Sequence, residues 1–471
     1  DRRQRQMCIR DRSEKEGYTL ISDISALFAS VLSTKELVTD PEIIAARNLD
    51  WRGRYRSHCT CLLRPCSLES VQKIMRIAYQ HRIAITPQGG HTGLCGGGIP
   101  SIENSAILLL EGLNHVRNFF PLDCSVVVEA GCILAHVQQY VQQRGFYFPL
   151  KLASEGSCQI GGNIACNAGG ANVLRYGTMR DQVLGLEIVL PNGELMSHLT
   201  SLHKNTAGLD SKHLWIGSEG TLGVITAAAL KLYPIRSIHL TLLLAAPSLS
   251  NILDLLVTLQ QYFSDELTSF EYMEKVPFTW SCELNQVNIP LKGEVYVLCE
   301  FSLAKEEDRL VILQRVLDLL SSQNLQEVLV ATRESEAHTF WRLRESISQA
   351  QKKMWGVTIK HDIALPITFL APFIASVKTA LQQQFADAQT LLFGHLGDGS
   401  LHYDVALERD RGPGIYQYEA AINEVVYNQV LKYHGTIAAE HGVGQLKRQW
   451  LRYMRSEQEI ALMNHICLLY T

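Results

Sequence analysis

The 471-residue chain reads as an α+β protein made of two successive folded parts. Three observations predict this. Between about residues 57 and 236, short apolar strands alternate with amphipathic helices and many glycine loops. At YPIRS, residues 233–237, the composition changes. From about 238 to 430, longer helices are interleaved with apolar strands, the order expected of an antiparallel sheet covered by helices.

The chain opens DRRQRQMCIRDRS and closes HICLLYT. Both strings resemble translated sequencing-adapter fragments. The expectation is therefore that about residues 1–13 and the last handful are non-native and that both natural ends are missing or altered. An Arg-rich transit peptide is the competing reading of the start, but Asp1 and Asp11 count against it. The remainder of 1–56 has a helical pattern, with SDISALFASVLS following a Ser22–Asp23 cap. Over 57–236, RIAITPQGG, AILLLEGLN, SVVVEAGCIL, VLGLEIVLPNGELM and GVITAAALKLYP read as strands or strand ends. LESVQKIMRIAYQHR and LAHVQQYVQQRG read as amphipathic helices. Over 237–430, helices SNILDLLVTLQQYF and EEDRLVILQRVLDLLSSQ separate strands HLTLLLAAP, EVYVLCEFS, QEVLVAT and LLFGHLG. The helix AINEVVYNQVLKYHG ends at Gly435, and 431–471 is expected to return to the first part.

Hydrophobic residues make up 46% of the chain and the net charge is −4, so no broad basic surface for nucleic acid is implied. LTLLLAA at 240–246 and VIL from 311 are far too short to span a bilayer and read as core elements. Twelve cysteines are scattered without a CxxC pair, the pattern of reduced, mostly buried thiols.

ITPQGGHTGLCGGGIP, residues 85–100, follows a strand and contains six glycines. Such loops let backbone N–H groups converge on an anion without Cβ obstruction. Neither GxGxxG nor GxxxxGK[ST] is present there, so neither a Rossmann turn nor a P-loop is supported. Two further loops are of the same kind, GSCQIGGNIACNAGG (156–170) and WIGSEGTLGVIT (215–226). Three glycine loops in one part imply a long, bent ligand, such as a dinucleotide with a pyrophosphate and a ring system.

PQGGHTGL, the second loop with RYG at 175–177, and GSEGTLGVIT resemble the FAD-binding domain of the vanillyl-alcohol oxidase/p-cresol methylhydroxylase superfamily. The resemblance implies that Pro87, Gly89, Gly90, His91, Thr92, Gly93 and Leu94 line the pyrophosphate. It places Gly156, Ser157, Gly161, Gly162, Asn163, Asn167 and Ala168 along the flavin and its ribityl chain, and Gly220 and Ile225 at the adenine end or ring. His91 stands where some members tether FAD covalently; the branch resembled here implies non-covalent FAD.

GHLGDGSLHYDV, residues 394–405, reads as strand, tight Gly-Asp-Gly turn and strand, which brings His395 and His402 together. Glu440 and His441 follow a strand-like GTIAA. Two His and one Glu suit a borderline divalent metal and leave a coordination position open. Both segments resemble those of the flavin-linked D-2-hydroxyacid dehydrogenases, most of all the D-2-hydroxyglutarate branch, over about 57–465. The resemblance implies a metal, zinc, on His395, His402 and Glu440, and a catalytic His441 facing substrate. It also assigns Arg344, Ser348 and Lys360 to a substrate carboxylate, in a fold where a cap domain of FAD-linked oxidase C-terminal type follows the FAD domain. Taken singly, Arg342 and Arg344 read as solvated helix charges. Arg344 and Ser348 lie four apart, hence on one face of a predicted helix. Asp404 stands where relatives carry Asn, and as an anion beside a carboxylate it is expected to be protonated or turned toward the metal.

The implied activity is oxidation of a D-2-hydroxyacid, D-2-hydroxyglutarate first, to the 2-oxoacid by hydride transfer to FAD N5. The alternatives are a D-lactate dehydrogenase, a glycolate oxidase FAD subunit, or a flavin-binding subunit with a compromised site. No NAD motif is visible, so an electron-transfer flavoprotein, a quinone or a cytochrome is the expected acceptor. A homodimer is compatible with this reading. The expected compartment is the cytoplasm of a bacterium or the mitochondrion of a eukaryote.

Overall fold

The computed structural model describes residues 24–102 and 104–467. Both terminal strings other than Cys467 and its two predecessors, and the Ser22–Asp23 cap, lie outside these residues. The first sheet joins β1 (Leu37–Val38), β2 (Leu62–Leu63), β3 (Ala84–Gln88) and β4 (Ser105–Leu109) in the order β1-β2-β4-β3. Helix Leu68–Gln80 connects β2 to β3, starting on a Ser67 hydroxyl that accepts the Ser70 N–H. It buries Val71, Ile74, Met75 and Ala78, the 3-4 spacing of one helix face.

The second sheet contains β5 (Val116–Phe120), β6 (Ser125–Glu129), β8 (Val183–Val189), β9 (Leu195–His198) and β10 (Val224–Lys231). Its order is β5-β6-β10-β8-β9, and β7 (Phe146–Tyr147) pairs separately with β11 (Tyr233–Pro234). The strand just beyond this ribbon belongs to a different sheet. It has seven strands: β12 (Ile238–Ala246), β13 (Leu267–Glu274), β14 (Val295–Leu303), β15 (Val328–Val330), β16 (Ile359–Ala364), β17 (Ala388–His395) and β18 (Ser400–Leu407). Their order is β15-β12-β14-β13-β17-β18-β16, antiparallel throughout.

Side chains alternate along a strand, and here both faces are covered. Leu240, Leu242 and Leu244 enter one core with helices Leu249–Phe263 and Leu370–Gln384. Leu243 and Ala245 enter another with Phe278, Trp341 and Leu343. A strand buried on both faces needs an unbroken apolar run, which explains LTLLLAA. The VIL run from 311 is different. Val311 is 68% exposed on helix Glu306–Ser322, while Ile312 and Leu313 pack against the core, so the stretch contributes one face to it. Seven of the eleven described cysteines are buried.

Two local expectations are corrected. The second glycine loop contains a helix, Ile160–Ala165, because Ile160 and Ile164 are fully buried at i and i+4 and outweigh the glycine penalty. The helix predicted through Arg344 and Ser348 breaks at Ser346, which ends Glu334–Glu345 and starts Ile347–Met354.

Candidate active site

A cavity of about 570 Å³ lies between the glycine loops and the β13–β17–β18–β16 end of the large sheet. Strand register sets its floor. Glu271 pairs with His395; Phe393 pairs with His402, which pairs with Asp362; Leu391 pairs with Asp404, which pairs with Lys360. Alternation puts all of these on one face. The turn between β17 and β18 spans Leu396–Asp398 and closes at Gly399, whose φ is +80°. A Cβ there would stand 2.2 Å from the Leu365 carbonyl oxygen, so only glycine fits.

Glu440 and His441 arrive on a segment that runs along the outer edge of β16. GTIAA is not a strand; its Thr436 makes a single bridge with Ala364. The Asp362 carboxylate then accepts the backbone N–H of both Glu440 and His441, at 3.3 and 3.0 Å. Beyond them Glu219, from the third glycine loop, accepts the N–H of Val443 and Gly444 at 2.7 and 2.8 Å. Gln445 Nε2 donates to the Gly96 and Ile99 carbonyls. The segment is thus fixed on both sides of the cavity.

Three imidazole nitrogens surround one carboxylate oxygen. Glu440 Oε1 lies 3.9 Å from His395 Nε2, 3.7 Å from His402 Nε2 and 3.4 Å from His441 Nε2. Its second oxygen accepts the Gly170 N–H at 3.0 Å. Burial pushes His402 down to about 3 against the pull of Glu440, leaving a neutral ring with a lone pair to offer. Burial also disfavours charge on His395, but Glu271, 2.8 Å from its Nδ1, raises it to about 9. A carboxylate on Nδ1 orients Nε2 inward, the arrangement that supports a metal-ligating histidine. Ligand atoms of Asp362, His402, Glu440 and His441 lie within 4.8 Å of one another. Asp362, however, already serves two backbone donors and the buried Lys447, 3.3 Å away, whereas His395 Nε2 points at Glu440. The donor set His395, His402 and Glu440 fits a divalent metal, with His441 beside it.

Arg344 is buried and pairs with Glu271 at 2.7 Å, while Arg342 is exposed. Glu271 is held below the usual carboxylate range by His395 and Arg344 despite its burial. Ser348 lines the same cavity although the helix is broken between them. The Asp404 carboxyl turns to Lys360, whose Nζ donates to its Oδ2 at 2.8 Å. Asp362, Glu271, Glu219 and Lys447 are the site residues that sequence reasoning missed. For Glu271 the available signal was a carboxylate in the middle of the otherwise uncharged stretch LTSFEYM of β13.

The three glycine loops meet. A Cβ on Gly89 would touch Gln159 and Gly162, one on Gly90 would strike the Ser157 carbonyl at 1.9 Å, and one on Gly220 would reach Pro87 at 3.3 Å. Gly93, Gly156 and Gly162 face open space. The buried Asn163 Oδ1 and Gln159 Oε1 have no hydrogen-bond partner. Open backbone and orphaned polar atoms of this kind fit a polar cofactor. Thr92 and Leu94 are half-buried beside them, Asn167 adopts a φ of +51° and its Oδ1 accepts the Arg180 N–H. Ala168 and Ile225 are packed in the apolar core instead. His91 Nε2 donates to the Leu49 carbonyl at 2.7 Å.

Residues 59–198 match the FAD binding domain family, and 239–469 match the FAD linked oxidases, C-terminal domain. D-2-hydroxyglutarate dehydrogenase of Rattus norvegicus is 35% identical over 91% of this chain and 79% of its own length. The chain belongs to the FAD-linked D-2-hydroxyacid dehydrogenases. The D-2-hydroxyglutarate–pyruvate transhydrogenase of Saccharomyces cerevisiae is 32% identical over 95% of this chain and 92% of its own. Among solved structures, p-cresol methylhydroxylase with substrate bound has a TM-score of 0.76 at 14% identity, covering 94% of this chain and 93% of that one. That likeness shows the fold. The chain is therefore an oxidoreductase with the p-cresol methylhydroxylase type of FAD-binding domain.

Proposed function

We propose that the protein oxidises a D-2-hydroxyacid to the 2-oxoacid, using non-covalent FAD and a divalent metal, zinc by its donor set, held by His395, His402 and Glu440. The convergence of three imidazoles on Glu440 Oε1 at the floor of the cavity carries this reading. When bound, the flavin supplies a hydride acceptor and the metal a Lewis acid for an alcohol. Arg344 grips the carboxylate nearest the metal, with Ser348 beside it. Asp362 stands 3.6 Å from His441 Nδ1 and fixes the ring, so His441 Nε2 takes the hydroxyl proton. His91 is spent on the Leu49 carbonyl, in keeping with a flavin that is not tethered. Glu219 and Gly170 hold the His441 segment against the loops that would carry the flavin. An electron-transfer flavoprotein, a quinone or a cytochrome then takes the electrons onward. The dehydrogenases of Rattus norvegicus and Bos taurus are named mitochondrial, and we place this chain there too if its source is eukaryotic. Among the described residues no helix is long and apolar enough to cross a membrane.

The test is the visible spectrum under anaerobic conditions. A D-2-hydroxyacid should bleach the flavin band and its L-enantiomer should not. Bleaching by neither, in a protein with bound flavin, overturns the reading.

A further inference from the structure

Lys360 faces Asp404 across β16 and β18, and Asp362 faces His402 one rung away. Two residues of strand separate these rungs by about 7 Å. A 2-hydroxyacid whose hydroxyl lies at the His402–Glu440 end therefore extends its tail over the Lys360–Asp404 rung.

The charge at that rung is cancelled. Lys360 Nζ sits 2.8 Å from an Asp404 carboxylate that is 2% exposed. Other cations around the cavity are engaged as well: Arg54 with Glu419, Lys447 with Asp362, and Lys151 over the Trp341 ring at 3.5 Å. Arg344 is paired too, with Glu271, but its buried Nε has no hydrogen-bond partner and keeps one N–H for a carboxylate. Beside Lys360, Gln351 is buried; its Oε1 lies 3.5 Å from Nζ and its Nε2 has no acceptor. The tail end thus offers a spare amide donor and an anionic acceptor, and the lysine on its own rung is paired with that acceptor. A carboxylate placed there would have to pull Lys360 from Asp404 or lie next to that anion in a poorly solvated site.

We propose that Asp404 determines specificity by excluding a second carboxylate, so that the site takes a D-2-hydroxyacid with one carboxylate and an uncharged polar tail. This rests on the 2-hydroxyacid reading and narrows it. The probes are D-2-hydroxyglutarate and its 5-carboxamide, which share a shape and differ in charge. The flavin of the holoenzyme should be reduced at least about 10-fold more efficiently, in kcat/KM, by the amide. Asp404→Asn, which frees Lys360, should shift the ratio toward the dicarboxylate by at least about 10-fold. The double variant Lys360→Gln/Asp404→Asn, which removes the excluding anion without freeing a cation, should bring the ratio closer to one while staying short of the single variant's shift.

A wild type that favours the dicarboxylate, or a ratio unmoved by Asp404→Asn, overturns the proposal. If Asp404→Asn does not fold, the double variant decides: a further selective loss of dicarboxylate turnover would show Lys360 gripping that carboxylate and defeat the idea. If neither acid reduces the flavin, the proposed reaction has failed, yet Asp404 can still be judged. Binding of glutarate and of its monoamide to wild type and Asp404→Asn can be measured by titration calorimetry. Equal affinities in both proteins refute the selection; tighter monoamide binding that reverses in the variant upholds it.

Discussion

Asp362 illustrates how much one buried carboxylate can organise. Burial opposes its charge, but His441 and Lys447 more than compensate and hold it below the usual range. Through it the two backbone amides that carry Glu440 and His441 are fixed. Replacing His441 by Ala should lower turnover by about 10²–10⁴-fold, with the flavin spectrum unchanged. A rate near wild type would remove His441 as the base. A second buried carboxylate gives a pH prediction. Burial pushes Glu274 up to about 7 from an ordinary 4.5, beyond what the Leu392 N–H it accepts can offset. Its folded pKa is raised, so the native state holds a proton that the unfolded chain gives up. The stability this adds is complete below about pH 4.5 and is lost as pH rises through about 7. Glu274→Gln should therefore melt at a higher temperature than wild type at pH 8, and the difference should shrink toward pH 5. A gap that does not narrow would mean Glu274 is already ionised in the native state.

At the scale of elements, the β17–turn–β18 unit was legible because three glycines in six residues exclude a helix and leave a tight turn. Gly399→Ala should destabilise the protein by more than about 1 kcal/mol, since its φ of +80° and the Leu365 carbonyl both resist a Cβ. Thermal melting checks this, and an unchanged midpoint would mean the turn can rearrange. Elsewhere local pattern misled. The glycine-rich Ile160–Ala165 looked like loop, yet two buried isoleucines make it helix, and Gly161 is needed because a Cβ would stand 2.7 Å from Ala130 Cβ. The GTIAA stretch has strand composition but borders an edge where it makes one bridge. Period and composition report what a segment can do; the neighbours decide which option is taken.

For the molecule as a whole, the metal should be separable from the flavin. Exhaustive chelation should abolish turnover while the flavin spectrum persists, and Zn²⁺, Mn²⁺ or Co²⁺ should restore it. Full activity without metal would leave His395 and His402 with a purely structural role. The proposed ligands His395, His402 and Glu440 were singled out from two short glycine-framed motifs, and the fold brings them round one carboxylate oxygen. Their supports could not, because Glu271 reaches His395 across 124 positions and Glu219 reaches Val443 across 224. Only folding reveals pairs that far apart. The segment that delivers His441 also lies against β16, the last strand of the seven-stranded sheet. An uncovered strand edge is a template for joining other chains. The segment that carries the proposed base is therefore also an edge guard: peeling it away would expose a surface prone to aggregation and, on the proposed mechanism, silence the enzyme in the same event. Damage to the Glu219 clamp should then appear as lost solubility as well as lost turnover.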